Sequence, residues 1–155
     1  MFQFRDPRRL VDGDLELLLV EQYPGDPLTN RVPAYKFEMR RVGASQAIGQ
    51  IELRVGDTKH LVMYGGHIGY GVDSDCRGHG YAARACRLLL PLALSHGMTV
   101  LWITCSPDNA ASRRTLDRLG AQYVETVDLP EDTEMYQRGK RQACRYRLKI
   151  VEGPG

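Results

Sequence analysis

Tyr35, Phe37 and Met39 alternate with Lys36, Glu38 and Arg40, the period of two that marks a half-buried strand. Upstream, Leu15 to Tyr23 is rich in Leu and Val and predicts a first strand. Pro24-Gly25-Asp26-Pro27 breaks it, and the loop runs on to about Pro33. Ile48, Ile51 and Leu53 mark a third strand, hairpinned to the second through Gly43-Ala44-Ser45. Gly56-Asp57 and Gly65-Gly66 punctuate the approach to a fourth strand at His67 to Val72. From Ala82 to His96 apolar residues are nearly continuous, which predicts a helix packed deeply against a sheet. Gly97 supplies its stop, and Pro91 predicts a kink or a division into two. Val100 to Thr104 reads as a short buried strand. Asp108 or Asn109 caps the next helix, whose Ser112, Leu116 and Leu119 share a face, and Gly120 ends it. Gln122 to Val127 and Cys144 to Val151 predict two closing strands around a polar segment containing Tyr136 and Gly139.

This order predicts an α+β fold, a mixed and mostly antiparallel central sheet with flanking helices. The early hairpins are antiparallel, whereas the strand-helix-strand crossover in the middle demands parallel neighbours. A length of 155 residues fits one domain over 1–155 with a sizeable core. A net charge of +2, spread over scattered basic pairs, argues against nucleic acid as a partner. No apolar run approaches the roughly 18 residues of a membrane span, and the N-terminus lacks a signal-peptide core. Cys76, Cys86, Cys105 and Cys144 form neither a CxxC nor a zinc spacing, so no metal is expected. Reduced thiols in the cytoplasm are the simplest reading, with Cys86 and Cys105 as small core residues.

Candidate chemistry concentrates in Arg77-Gly78-His79-Gly80-Tyr81-Ala82, between the fourth strand and the long helix. A loop of small residues at a helix start brings backbone N–H groups onto one anion, and the helix dipole favours the negative charge. No Walker A pattern is present. Gly78 to Ala83 formally fits G-x-G-x-x-A, but the next strand ends Ile103-Thr104-Cys105-Ser106 with no acid for a ribose, and several strands precede the loop. Both features count against a dinucleotide site.

Arg77-x-x-Gly80-x-Ala82 resembles the Q/R-x-x-G-x-G/A signature of the GNAT superfamily of acyl-CoA-dependent N-acyltransferases. His67-Ile68-Gly69-Tyr70 before it and Asn109-x-x-Ser112 leading to Leu119-Gly120-Ala121 after it lie in the family's order. The resemblance covers about residues 34 to 127. It implies an acetyl-CoA-dependent N-acetyltransferase acting by direct attack of a primary amine, with acetyl-CoA and the amine acceptor as partners and room for a homodimer. It implies a splay between the fourth and fifth strands. Tyr70, Gly71 and Val72 would hold the pantetheine arm through backbone groups, and Arg77, Gly78, His79, Gly80, Tyr81 and Ala82 the pyrophosphate. Asn109 would face the pantetheine or thioester, and Ser112 the pyrophosphate or the helix packing. A backbone N–H near Gly71-Val72 is the candidate for the oxyanion.

For the general base the resemblance points to His67, where several branches place a glutamate, and Glu52 on the neighbouring strand is the second candidate. The chain departs from the family twice. Where many members carry a general-acid tyrosine, seven positions beyond the asparagine, it has Leu116. Either Tyr136, Tyr146 or Ser112 substitutes or the thiolate leaves without a dedicated acid, and Tyr70 reads as a packing residue rather than an acid. Only eleven residues, three of them proline, separate Tyr23 from Tyr35, too few for the two helices that usually wall the acceptor cleft. The acceptor side is therefore either open, as for a peptide or protein amine, or closed by the 56–66 loop and the 128–143 segment, where Thr133-Glu134-Met135-Tyr136 offers an acidic or aromatic contact. Arg113 or Arg114 is placed to reach the adenosine 3′-phosphate, but only one can face the site. A non-catalytic acyl-CoA sensor shares the binding loop and stands as the alternative.

Overall fold

The structure, a computed structural model, describes residues 2–150. Its elements are β1 (Leu10–Asp12), β2 (Leu15–Tyr23), β3 (Ala34–Arg41), β4 (Ala47–Arg54), β5 (Ile68–Val72), α1 (Tyr81–Ser95), β6 (Val100–Cys105), α2 (Ala110–Leu119), β7 (Gln122–Asp128), α3 (Glu134–Gln137) and β8 (Gln142–Lys149). The expected order holds, with additions that periodicity does not mark: the three-residue β1, the single-turn α3, a π-helical turn at Leu61–Gly65 and a 3-10 turn at Ser74–Cys76. The closing strand ends at Lys149, and Val151 lies outside the described residues.

The strands form two antiparallel sheets, β1-β2-β3-β4-β5 and β6-β8-β7. The expected parallel pairing across the crossover is reduced to one backbone hydrogen bond, from the His67 amide to the Trp102 carbonyl at 2.6 Å. Gly66 sits against the backbone of Trp102, Ile103 and Thr104, where a Cβ would come within 3.0 Å of a carbonyl oxygen. Beyond that point β5 and β6 diverge and share no ladder.

One core joins the sheets. Tyr35, Phe37 and Met39 of β3, Ile51 and Leu53 of β4, Leu101 and Ile103 of β6, and Tyr146 and Leu148 of β8 close around Ala85, Cys86, Leu89 and Ala93 of α1. Helix α1 remains a single helix through Pro91, because Pro91 lies on its exposed side, where water can satisfy the carbonyl that the ring leaves without a donor. The opposite face of the larger sheet carries Lys36, Glu38 and Arg40 of β3 and Gln50, Glu52 and Arg54 of β4. Cross-strand pairing of Lys36 with Glu52 and of Glu52 with Gly69 puts these residues on one side. Helix α1 packs on the core side and the short 24–33 connection contributes no helix to this one, while the π-helical turn at Leu61–Gly65 lies against β6 and β8 through Thr104 and Arg145.

Candidate active site

The divergence of β5 from β6 opens a cleft of about 570 Å³. Tyr70, Gly71 and Val72 form one wall, and Asn109 and Ser112 the facing one. Arg77, Gly78, Gly80, Tyr81 and Ala82 close its end. The structure thus brings together the residues expected to hold the pantetheine and pyrophosphate, except His79, whose exposed ring lies 5.3 Å from that of Tyr81 and outside the lining.

The loop is built to present free amides. Gly78 and Gly80 take φ of +91° and +71°, a region that side chains with a Cβ disfavour. Gly80 is the N-cap of α1 and no side chain caps the helix; its first closing bond is Arg84 N–H to Gly80 C=O at 3.1 Å. Among the described residues, the amides of Gly78, His79 and Gly80 have no acceptor in the chain, and the first-turn amides of Tyr81, Ala82 and Ala83 precede any intrahelical bond. Such a set is a ready anion site. Arg77 shapes it, donating from Nε to the Val72 carbonyl at 3.1 Å and so tying the loop back to β5.

Sequence reasoning missed what holds the loop from below. The buried Tyr81 donates its hydroxyl to Asp14 at 2.7 Å, while Arg84 bonds Asp12 at 3.0 Å and Asp14 at 2.8 Å. These contacts fasten the first turn of α1 to the β1–β2 turn. The hydrogen bonds from Tyr81 and Arg84 hold the Asp14 carboxyl below its ordinary range. Only the Asp12–Asp14 pair at a turn hints at this in the sequence.

Helix α2 forms the other wall. Asn109 caps it, accepting the Ser112 amide at Oδ1 (3.0 Å), and the Ser112 hydroxyl lies 2.6 Å from that of Tyr70. Burial pushes the Tyr70 phenol up to about 12, so it carries its proton throughout the physiological range. Arg114 and Arg118, one turn apart, line the cleft. Arg113 turns away to bond the Tyr146 hydroxyl at 3.1 Å and lies over the Tyr123 ring. With Arg77, three arginines and no carboxylate line the cleft.

The expected catalytic residues fare unequally. His67 is 4% exposed, and both ring nitrogens are engaged with backbone: Nδ1 accepts the Trp102 amide at 2.8 Å, and Nε2 donates to the Gly56 carbonyl at 2.9 Å. These partners fix a neutral tautomer with no lone pair free for a substrate proton. Burial, helped by the Arg54 guanidinium, holds the imidazole below its usual range against the opposing pull of the Gly56 carbonyl. Glu52 sits on the open sheet face opposite Gly69, with Oε1 bonded to Arg54 Nε at 2.8 Å. Tyr136 lies outside the cleft, its ring covered by Arg141 at 3.9 Å. Tyr146 is buried with Arg113, and Leu116 is fully buried, so neither gives the cleft a hydroxyl. Cys105 is half-buried, its thiol pushed up to about 11 by that burial, and Cys86 lies wholly in the core.

Beside Glu52, the 56–66 segment lies against the other side of the β5–β6 junction. Arg54 bonds the Gly65 and Gly66 carbonyls at 2.8 and 3.0 Å, and Thr104 bonds the Tyr64 carbonyl at 2.8 Å. Arg145, stacked 4.1 Å over Trp102, reaches the Val62 carbonyl at 3.3 Å.

The fold is similar to that of a Chromobacterium violaceum ATCC 12472 protein assigned to the GNAT acetyltransferases, at 16% identity and a TM-score of 0.67, covering 96% of this chain and 89% of that one. It is also similar to the ribosomal-protein-S5-alanine acetyltransferase of Vibrio fischeri, at 18% identity and a TM-score of 0.61, over 79% of this chain and 64% of that one. Microcin C7 self-immunity acetyltransferase MccE, solved in complex with acetyl-CoA and AMP, matches at 19% identity and a TM-score of 0.58, over 76% of this chain and 61% of that one. The chain spans less than two thirds of the length of the last two. No curated protein matches it. A model of the acetyltransferase (GNAT) domain matches residues 19–122, more than half of the chain, which therefore belongs to the GNAT acetyltransferase family.

Proposed function

We propose that this chain is a single acetyltransferase domain that moves an acetyl group from acetyl-CoA to an amine on an open acceptor face. The observation that carries the reading is the uncapped start of α1, where free amides of the 78–83 stretch meet a cleft lined by three arginines and no carboxylate. The pyrophosphate of coenzyme A suits the amides, and Arg114 and Arg118 suit its 3′-phosphate. Acetyl-CoA supplies the activated acetyl thioester, and the free edge of β5 at Tyr70 to Val72 offers backbone groups to its pantetheine arm.

Glu52 serves as the proton acceptor. It stands on the open face of the larger sheet, bordered by the 56–66 segment, and its second carboxylate oxygen has no partner among the described residues. There it draws an ammonium, takes its proton directly or through water, and frees the nitrogen lone pair for attack. An amide near Gly71-Val72 steadies the carbonyl oxygen as charge develops. As the carbon–sulfur bond breaks and its electron pair passes to sulfur, the Tyr70 hydroxyl gives the sulfur a proton and recovers one through Ser112 from solvent. His67 has a positioning role, joining β5 to β6 where the cleft begins.

The test is release of free thiol from acetyl-CoA across a panel of amines and amino-terminal peptides, alongside calorimetric titration of coenzyme A. Acceptor-dependent release supports the reading. Tight coenzyme A binding with no release from any acceptor would favour a sensor, and absence of binding would end both.

A further inference from the structure

A second concavity, of about 230 Å³, lies beneath the β7–β8 connection at the end of β6. Its floor is Thr104, Leu129, Met135 and Ala143, and its basic residues are Arg138 and Lys140. No carboxylate lines it. Arg138 is engaged by Glu134 at 2.5 Å, whereas the Lys140 ammonium has no ion-pair or hydrogen-bond partner among the described residues. The sequence suggested an acidic or aromatic contact from this segment; this concavity is lined instead by Met135 with the exposed Arg138 and Lys140 at its mouth.

Its position gives it meaning. Thr104 pairs with Arg145 across the smaller sheet, and Ala143 lies two residues from Arg145, so both side chains belong to the face turned away from the shared core. That is the side on which the larger sheet presents Glu52 and the side-chain-free Gly69 and Gly71. The stretch from Thr104 to Ser106 is followed closely in the chain by Asn109 and Ser112 of the coenzyme A cleft. The two concavities share no lining residue but flank the β6–α2 connection, with Ser106 on one and Asn109 on the other. The 56–66 segment, bonded to Thr104 and Arg54, borders this face, and beside it Gly69 and Gly71 of β5 present no side chain to an extended chain.

We propose that this concavity is a specificity pocket for the amino-terminal segment of a peptide or protein acceptor that carries an acidic side chain next to its reactive amine. The proposal rests on the acetyltransferase reading and deepens it. The apolar floor takes the methylene stem of a Glu or Asp side chain, and Lys140 meets the carboxylate at the mouth. The amine then extends toward Glu52 and the bare stretch of β5. Opposite charges are thus met at two points, with the ammonium drawn to Glu52 and the carboxylate to Lys140.

The experiment measures kcat/KM for four peptides identical except for Glu, Gln, Leu or Lys at the second position, with wild type and Lys140→Glu, at low salt. For wild type the expected preference is Glu over Lys by about fivefold or more, from one partly screened charge contact. Lys140→Glu should reverse the order while leaving coenzyme A affinity and the melting temperature unchanged. Lys140→Gln should flatten it. An order that Lys140→Glu does not change, or acetylation of small amines with none of the peptides, overturns this inference and leaves the acetyltransferase reading standing. No acceptor-dependent thiol release from any amine overturns both.

Discussion

His67 and Trp102 exchange two hydrogen bonds: the His67 amide donates to the Trp102 carbonyl at 2.6 Å, and the Trp102 amide donates to Nδ1 of the His67 ring at 2.8 Å. This reciprocal pair is the hinge of the site, because the strands that carry it separate immediately afterwards. Replacing His67 with Ala strands the Trp102 amide and the Gly56 carbonyl and should cost about 2–4 kcal/mol of stability, read by urea denaturation. The folded state holds this imidazole's pKa below its value in the unfolded chain. Between those values the unfolded state binds more protons, so stability is present above about pH 6.5 and is lost as pH falls toward the folded value. His96, shifted the same way by burial, adds to the effect, so the contribution of His67 is the difference between wild type and His67→Gln. In His67→Gln the acidic limb of the activity profile should remain; its disappearance would return His67 to the role of base.

Much of this fold is written in local patterns. The strand at 15–23 and the Asn109 and Gly120 limits of α2 follow from alternation and caps, which act over a few residues. The π-helical turn at Leu61–Gly65 does not, because Arg54 and Thr104 hold it through backbone carbonyls from distant strands. The cleft residues were legible because the loop's chemistry is backbone chemistry, set by glycines. The surroundings of His67 are not, since a histidine at that position reads alike whether its ring meets solvent or two amide groups. Arg118 lines the cleft without a mark in the sequence, because a basic residue near the end of a helix is ordinarily a dipole complement.

Gly80→Glu should abolish coenzyme A binding. The position is the N-cap of α1 at φ +71°, and a Cβ added there would meet nothing within 4 Å, so the side chain fits but the backbone is strained. Its carboxylate would stand among the free amides and compete with the pyrophosphate. Gly80→Ala separates the two effects: about 1 kcal/mol of stability should go with much weaker consequences for binding. Calorimetric titration checks both, and equal affinities for wild type and Gly80→Glu would remove the loop from the site.

Arg113 and Arg114 are neighbours that face different ways, Arg114 lining the cleft and Arg113 bonded to Tyr146. Arg114→Ala should weaken coenzyme A binding and flatten its salt dependence, yet leave dephospho-coenzyme A, which lacks the 3′-phosphate, nearly unaffected. Arg113→Ala should lower the melting temperature instead, since its partners are the Tyr146 hydroxyl and the Tyr123 ring. Equal losses of affinity for the two ligands in Arg114→Ala would place that arginine elsewhere on coenzyme A.

Glu52→Gln keeps the size of the side chain and removes the carboxylate proposed as the proton acceptor. A general base contributes on the order of 10²-fold, so kcat should fall by about that factor while coenzyme A binds as before. The acidic limb of the pH profile should vanish with it. Arg54 would keep an oxygen partner in the amide, so the sheet should remain intact. A wild-type profile in this variant would assign the base to water or to the acceptor's own surroundings.

The Tyr70–Ser112 hydroxyl pair stands where the cleft walls meet, one helical turn before Leu116, the place where many members of the family carry a tyrosine. If Tyr70 supplies the proton to the departing sulfur, Tyr70→Phe should lower kcat at saturating acetyl-CoA by about tenfold or more and shrink the solvent deuterium isotope effect on kcat. Its affinity for coenzyme A should change little, because the backbone of β5 remains. Ser112→Ala, which leaves the phenol in place but breaks its route to solvent, should show a smaller loss of the same kind. A bond that merely joined β5 to α2 would behave otherwise: both variants would lose melting temperature and coenzyme A affinity, with kcat and its isotope effect unchanged. That outcome would leave the thiolate to depart without a donor, which a coenzyme A sulfur tolerates better than an alkoxide.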